Sequence, residues 1–330
     1  MARPNLFDYA TSELSQDAVL CWLAAWAQPE AAAEDEQLHS LGVRYLTALL
    51  ETQGRPVPEI SSLEVRRQYK SIDVLLIINS RLAVCIEDKA GSTEHSNQLA
   101  RYIGGLTADG FAPDDIVPVY VQTFEQGNYA AVKAAGYAPV SRKRLLTILE
   151  LYAKSPDANA IARDFYDRLT TVDREVESFR DQPLTQWTSL AWQGFFCALQ
   201  ARLLDGEWSY VANPAGGFQG YWWHVKKAPG CEQYLQLEEG ALCFKIWVER
   251  PEDRAGLRDR WHARLREEGR TIGLNVTRPR RLGFGQTMTV AVLDTDYRMT
   301  GERGRLDLDA TVAGLRKAEA VLDRAAANVA

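Results

Sequence analysis

Two carboxylates and one lysine lie at the ends of two short apolar segments. Asp73 is the second residue of the segment 72–78. Glu87 lies near the end of the segment 82–88, and Lys89 directly follows that segment. Both segments have the length and the Val, Leu and Ile content of buried strands, with turn-forming residues between them. An antiparallel hairpin sets Asp73 directly opposite Glu87, with their Cβ atoms roughly 4.5–5.5 Å apart on one face. Because side chains alternate along a strand, Lys89 shares that face.

This convergence predicts a metal-assisted hydrolytic site. Two carboxylates this close repel each other, and partial burial raises their pKa values unless a cation neutralises them. Mg²⁺ typically takes one or two carboxylates together with phosphate oxygens and waters. Such an ion lowers the pKa of a bound water and neutralises charge on a phosphoryl group under attack. We therefore interpret Asp73 and Glu87 as ligands of Mg²⁺ or Mn²⁺, and Lys89 as the group that orients or deprotonates the attacking water. Asp88 points to the opposite face.

The alternative interpretation of these three residues is a structural ion-pair cluster at the edge of a sheet. The elements that must position them are predicted from hydrophobic periodicity. In the first helix, one stripe is predicted to be apolar, comprising Leu14, Ala18, Cys21, Trp22 and Ala25. The predicted elements are helices at 12–27 and 35–53, strands at 63–70, 72–78 and 82–88, a helix at 94–109, and a strand at 117–123. Their order is helix, three antiparallel strands, helix and strand.

The spacing of Asp73, thirteen intervening residues and then Glu87-x-Lys89 resembles the PD-(D/E)xK motif of the restriction-endonuclease-like nuclease superfamily. The element order is similar to that superfamily's αβββαβ core, over roughly residues 5–125. One departure is that Ser71-Ile72 precedes the aspartate where the motif's name has a proline. The resemblance implies an α/β (α+β) fold and a Mg²⁺-dependent endo- or exonuclease. It also implies DNA as the substrate, with a role in restriction, defence or repair.

The same resemblance extends to three further residues. Glu13, on the first predicted helix, resembles an additional acidic metal ligand that many members of the superfamily place there. Gln98-Leu-Ala-Arg-Tyr102 resembles the QxxxY motif of the RecB-like branch, and positions i and i+4 share one helical face. The opening FDYATSELSQDA is similar to bacterial families of stand-alone members. The alternatives are a helix cap with a core residue for Gln98 and Tyr102, and a solvent-facing first-turn acid for Glu13.

The second half of the sequence predicts a mixed α/β, aromatic-rich extension. The polar run 180–186 predicts a boundary between a nuclease-like domain at 1–180 and a second domain at 181–330 for substrate positioning or partner contacts. The alternative is one continuous fold. The helices predicted after residue 140 lie at 142–153, 158–178, 188–204, 252–268 and from 308. The strands predicted there lie at 208–211, 219–226, 232–238, 241–249, 271–276 and 287–293.

Basic and aromatic groups elsewhere offer weaker candidates for contacts with nucleic acid. Arg142-Lys143-Arg144, Arg278-Pro-Arg280-Arg281 and His95 are candidates for phosphate contacts, but a solvated surface is the better interpretation of each alone. The same holds for the arginines of the helix 252–268. Tryptophans 187, 192, 208, 222, 223, 247 and 261 could stack on unpaired bases, yet their alternation along predicted strands favours the core.

Composition excludes several classes of function. Five scattered cysteines predict neither a disulfide framework nor a zinc site, and four histidines offer no helix-borne metal pair. A net charge of −6 argues against a basic protein that simply coats DNA. The sequence shows no signal-peptide pattern and no membrane-spanning run, so a cytoplasmic protein without membrane contacts is expected.

The competing function is a catalytically silent nuclease-fold module that binds nucleic acid or a partner protein. A homodimer is a further option.

Overall fold

The described part of the chain comprises residues 3–91, 97–213 and 216–327 of a computed structural model. Its internal contacts separate two units, Met1–Arg174 and Glu175–Ala330. None of the helices in these ranges has both the length and the hydropathy that crossing a membrane requires. The residues of the candidate site all belong to the first unit.

The first unit contains a five-stranded sheet with helices on both faces. Its helices are α1 (Glu13–Ala25), α2 (Glu36–Thr52), α3 (Gln98–Ala108), α4 (Ala130–Ala134), α5 (Arg142–Ala153) and α6 (Ala160–Glu177), the last of which continues into the second unit. Its strands are β1 (Leu63–Tyr69), β2 (Ile72–Ile78), β3 (Leu82–Lys89), β4 (Ile116–Gln122) and β5 (Ala138–Ser141).

The sheet has the order β1-β2-β3-β4-β5, and its first three strands are antiparallel whereas β3, β4 and β5 run parallel. Strand β2 is apolar on both faces because both faces are covered. Val74 and Leu76 pack with α1, α2 and α5, while Leu75 and Ile77 pack with α3. The predicted αβββαβ order is confirmed, and the mixed α/β class with it. Strand β5 and helix α4 were not predicted, since each is only four or five residues long.

Helices α1 and α3 do not fully match their predictions. The apolar stripe predicted for α1 is wrong in part: Cys21 and Trp22 pack partly against the core, whereas Leu14 is 55% exposed. The fully buried apolar residues of this helix are Val19, Leu20, Leu23 and Ala24. Nearly every residue of the second half of α1 is apolar, so periodicity does not select one stripe. The helix predicted at 94–109 is α3, and residues 94–96 lie outside the described ranges.

The second unit contains an antiparallel six-stranded sheet of order β10-β11-β9-β8-β7-β6 and three long helices. Its strands are β6 (Glu207–Val211), β7 (Phe218–Ala228), β8 (Cys231–Glu238), β9 (Ala241–Trp247), β10 (Val276–Thr277) and β11 (Thr287–Leu293). Its helices are α7 (Ser189–Gln200), α8 (Arg254–Thr271) and α9 (Leu308–Ala327).

Aromatic side chains dominate the core of this unit, as their spacing predicts. Trp192, Trp208, Trp223 and Trp261 are buried, and the other three tryptophans are half-buried. The strand predicted at 271–276 is wrong, because α8 continues through Thr271 and β10 has only two residues. Gly273 follows the helix with a φ of 73°, the left-handed conformation that commonly terminates helices.

Candidate active site

The register of β2 and β3 brings the two predicted carboxylates together. The ladder pairs Leu75 with Cys85 and Val74 with Ile86, so the next position pairs Asp73 with Glu87. At that position the ladder is replaced by a side-chain bond, in which Asp73 Oδ2 accepts the N–H of Asp88 at 2.9 Å. Asp73 is therefore fixed to the backbone of β3 beside Glu87.

Glu87 is fully buried, and among the described residues only one of its oxygens has a hydrogen-bond partner. Oε1 accepts bonds from Lys89 Nζ at 2.5 Å and from Gln98 Nε2 at 3.0 Å. Oε2 has no hydrogen-bond partner among the described residues. Burial, together with the negative charge of Asp73, raises the pKa of Glu87 to about 8, although the bond with Lys89 lowers it. The positive charge of Lys89 therefore only partly compensates the negative charge of an ionised Glu87.

The lysine is held as a cation. Burial opposes the charge of Lys89, but its bond with Glu87 and the nearby carboxylates of Asp73 and Glu13 raise its pKa above the usual value. The lysine side chain is 11% exposed. A buried ammonium with a raised pKa is suited to donating hydrogen bonds and to stabilising negative charge at neutral pH.

The donor set fits a hard divalent cation. A buried carboxylate oxygen without a partner, next to a second carboxylate, is a position where such an ion removes an electrostatic penalty. Within residues 3–91, 97–213 and 216–327, no group of three or more His, Cys, Asp or Glu residues is arranged to hold a metal. Asp73 and Glu87 are the residues that would hold one, with water and substrate oxygens completing its coordination.

Glu13 lies at the end of β3, on the first turn of α1. Its Oε1 accepts the N–H of Ala90 at 3.1 Å, one residue beyond Lys89. Ser12 caps the helix by accepting the N–H of Ser15, which begins α1 at this point. The contact places the Glu13 carboxylate close to Lys89, and its role as a metal ligand stays a prediction.

Helix α3 supplies Gln98 and Tyr102 to the same site. Gln98 Nε2 donates both to Glu87 Oε1 and to the Tyr102 hydroxyl, so the two residues form a short chain of hydrogen bonds. Tyr102 is buried in the α3 side of the sheet. This chain holds one oxygen of Glu87 in a fixed direction. The structure brings all six predicted site residues to one end of the β2–β3 hairpin, and their roles stay predictions.

A second pair of carboxyl groups lies on the opposite face of β3. Asp17 of α1 and Asp88 are both 1% exposed, and one carboxyl oxygen of each has no hydrogen-bond partner among the described residues. Burial, together with the charge of Asp73, raises the pKa of Asp17 to about 6. Burial and the neighbouring carboxylates also raise the pKa of Asp88, while Gln16 Nε2 donates to its Oδ1 at 2.5 Å.

One amide links this pair to the predicted metal ligands. Gln68 Nε2 donates to Asp17 Oδ2 at 3.0 Å and to Asp73 Oδ1 at 3.1 Å. Gln68 has a φ of 55°, a left-handed conformation that is costly for a residue with a side chain. The distortion changes the side on which β1 packs: Val65 contacts the α1 side of the sheet, and Tyr69 contacts the α3 side.

The sequence analysis missed Asp17 and Gln68. The available signal for Asp17 was a single acidic residue directly before the long apolar run of α1. No signal of comparable strength pointed to Gln68, because its contacts depend on the left-handed backbone.

The phosphate-contact hypothesis for Arg142 is wrong. Arg142 is 1% exposed and donates to the carbonyl of Thr123 and to the carboxylates of Glu125 and Asp173. Its positive charge is therefore paired with carboxylates of the first unit. Arg144 pairs with Glu51 at 2.8 Å on the surface. His95 lies outside the described residues.

Comparison with known proteins gives one family match. The sequence model of one family, described as the PD-(D/E)XK nuclease superfamily, matches residues 5–191, more than half of the chain. The matched range contains all six predicted site residues as well as Asp17 and Gln68. No curated protein and no solved structure matches the chain.

Proposed function

This chain belongs to the PD-(D/E)XK nuclease superfamily, and from that premise we propose that it is a divalent-metal-dependent nuclease that hydrolyses phosphodiester bonds in DNA. The observation that supports this activity best is the buried Glu87 carboxylate. One of its oxygens is held by Lys89 and Gln98, whereas the other has no hydrogen-bond partner in the described part of the chain. A sheet built only for stability has no use for such an arrangement, because an incompletely paired buried charge is destabilising.

The proposed roles follow from the contacts. Asp73 and Glu87 would hold Mg²⁺ or Mn²⁺, with Glu13 as an additional ligand. When bound, such an ion would supply a water of lowered pKa and positive charge opposite the phosphate. Lys89, kept protonated by its surroundings, orients the water by donating a hydrogen bond and stabilises the charge that develops during attack. Gln98 fixes Glu87, and Tyr102 fixes Gln98.

The test is cleavage of linear, circular and single-stranded DNA with Mg²⁺, with Mn²⁺ and with a chelator. We expect metal-dependent cleavage by the wild type. The variants Asp73→Asn, Glu87→Gln and Lys89→Ala should each reduce the rate by about 100-fold or more, because each removes a group that acts on the reacting phosphate. Asp114→Asn removes a charge of the same kind from an exposed position of the same unit and should leave the rate unchanged.

Circular dichroism and thermal unfolding establish that each variant is folded. Wild-type activity in any one of the three site variants would remove that residue from the proposed chemistry. Absence of cleavage by the wild type on all three substrates, with either metal, would instead support the catalytically silent binding module.

A further inference from the structure

Positive charge is concentrated in one segment of the second unit. Residues 254–281 contain nine arginines and three acidic residues, a net charge of +6 in a chain whose net charge is −6. Two of these arginines are structural: Arg254 donates to backbone carbonyls at the end of β9, and the buried Arg258 donates to the carbonyl of Gly283. The other seven are exposed or half-exposed, namely Arg260, Arg264, Arg266, Arg270, Arg278, Arg280 and Arg281.

Three of the exposed arginines line one groove. On α8, His262, Arg266 and Arg270 are spaced at i, i+4 and i+8, so they form a single stripe along the helix. The facing wall is the edge strand β10 with its flanking residues. The cavity between them has a volume of about 470 Å³, and its polar lining residues are His262, Arg266, Arg270, Asn275, Thr277 and Arg278. We call this cavity the arginine groove.

The charges of the groove are available to a ligand. Arg266 and Arg270 form no ion pair with any residue in the described ranges. Arg278 approaches Asp259 at 3.3 Å, but both side chains are about half exposed, so this pair is weak and easily exchanged. His262 Nδ1 donates to the carbonyl of Val290 at 3.0 Å, because a carbonyl can only accept. That bond leaves the Nε2 of His262 for another partner.

The chemistry of the groove favours a chain of phosphates. The planar guanidinium of arginine donates two parallel hydrogen bonds to phosphate oxygens. At 1.5 Å per residue, the stripe from His262 to Arg270 extends about 12 Å, which is too long for one phosphate group. A protein partner would be expected to meet an apolar or aromatic centre. Val276 is the one apolar residue that lines the groove.

We propose that the arginine groove binds the phosphate backbone of a nucleic acid, an inference that rests on the proposed nuclease function. The groove lies outside residues 5–191, so the family match does not account for it. A nucleic acid also needs a positively charged surface on this protein. Residues 1–150 contain 13 basic and 19 acidic side chains, and this excess of negative charge repels a polyanionic substrate.

The experiment measures DNA binding by the full-length protein in chelator, where cleavage is absent. The probes are a fluorescein-labelled 30-nucleotide single strand and the corresponding duplex, titrated by anisotropy from 50 to 300 mM NaCl. The groove variant carries Arg266→Gln, Arg270→Gln and Arg278→Gln. The matched control carries Arg55→Gln, Arg174→Gln and Arg316→Gln, which remove the same charge from outside the groove.

We expect the groove variant to bind at least one probe about tenfold or more weakly at 100 mM NaCl. Its slope of log Kd against log salt should fall by about 2, since each lost phosphate contact removes roughly 0.7–0.9 from that slope. The control variant should change Kd by about twofold or less with an unchanged slope. A third variant with lysine at the three groove positions should retain most of the salt slope while binding more weakly than the wild type, because it keeps charge but loses the guanidinium.

Equal weakening in the groove and control variants would overturn the proposal, because the effect would then come from net charge alone. Unchanged binding in a folded groove variant would also overturn it. So would a groove variant that loses binding of poly-glutamate but not of DNA, which would assign the groove to an acidic protein. If the protein binds DNA through the groove but never cleaves it, the proposed nuclease function is contradicted and the proposal for the groove stands. If the wild type cleaves DNA and the groove variant binds DNA normally, only the proposal for the groove is contradicted.

Discussion

Gln68 connects two groups of carboxylates that lie on opposite faces of the same strand. Its single amide nitrogen donates to Asp73, a predicted metal ligand, and to Asp17, a member of the buried pair. The contact requires a left-handed backbone at a residue with a side chain, which costs roughly 1–2 kcal/mol. A position that accepts such a cost is one where the side-chain contacts, rather than the strand, determine the conformation.

The first prediction separates the amide of Gln68 from its backbone. Gln68→Ala and Gln68→Gly both remove the amide, so both should lower Mg²⁺ or Mn²⁺ affinity, or the cleavage rate, by about 10- to 100-fold. Only Gly adopts a left-handed backbone without strain, so Gln68→Gly should be the more stable of the two by about 1 kcal/mol. Metal titration calorimetry and urea unfolding measure the two effects separately.

Lys70→Gly is the matched control, because Lys70 also has a positive φ but bonds to Asp109 outside the site. This variant should leave metal affinity unchanged. Recovery of metal affinity in Gln68→Gly alone would show that the backbone, not the amide, positions Asp73.

The residues of the hairpin were predictable because strand register is set by few variables. The apolar pattern defines both strands, and a short turn between them fixes which residues are opposed. Asp73 therefore meets Glu87 as predicted, and the alternation of side chains brings Lys89 to the same face. The contacts of Gln68 could not be derived this way, because a left-handed residue interrupts the alternation from which faces are assigned.

Helix α1 is the element that joins the two faces of the site. Glu13 reaches the end of β3 and Asp17, one turn later, reaches Asp88. The fixed 3.6-residue turn of the helix places both carboxyl groups toward the sheet. Asp17 and Asp88 then repel each other whenever both are ionised.

The second prediction concerns this repulsion and its pH dependence. The pKa of Asp17 rises from about 3.8 to about 6 on folding, so the folded state penalises the ionised form. Stability is therefore lost as the pH rises from about 3.8 through about 6. In the absence of metal, Asp17→Asn should raise the unfolding free energy at pH 8 by about 1 kcal/mol, and the gain should diminish toward pH 4.

Urea unfolding at pH 8, 6 and 4.5 measures this gain. An asparagine at this position has an amide N–H that can donate a hydrogen bond to a neighbouring carboxylate, so the substitution removes charge without removing a polar group. Asp114→Asn, at an exposed position, should show no gain at any pH. A destabilised Asp17→Asn protein at pH 8 would show that the ionised pair is favourable in the fold.

Element boundaries show where local patterns determine structure and where they do not. Strands β1 to β4 and helix α2 were predicted within one or two residues, since each has a clear apolar pattern. The buried face of α1 was predicted only in part because its apolar residues surround the helix. Strand β10 was misplaced because it has only two residues. Its place at the edge of the sheet depends on pairing with β11, which lies further along the chain.

At the scale of the whole chain, the family match and the contact pattern divide the molecule in similar places. The match ends at residue 191, and the first unit ends at Arg174. Each unit has its own buried cluster, with Leu46 and Val119 in the first and Phe196 and Trp223 in the second. We propose that the two units are separate domains, with the predicted catalytic groups in the first.

The third prediction is that calorimetry resolves two unfolding transitions. Mg²⁺ at about 100 times its Kd should stabilise one transition by about 2.7 kcal/mol, because the ion binds only the folded first unit. Phe196→Ala, a substitution in the core of the second unit, should destabilise the other by about 3–5 kcal/mol. In Asp73→Ala the effect of Mg²⁺ should disappear. A single transition that responds to both Mg²⁺ and Phe196→Ala would show that the units unfold together.

The topology of the first sheet also has a consequence for how the site assembles during folding. Strands β1, β2 and β3 are joined by Lys70–Ser71 and by residues 79–81, whereas residues 90–115, which include α3, separate β3 from β4. Short loops close with less loss of chain entropy, so contacts within the three-stranded meander are the first to become favourable. We therefore expect Asp73, Glu87 and Lys89 to meet early, and Gln98 to join them only when the slower crossover through α3 completes the sheet.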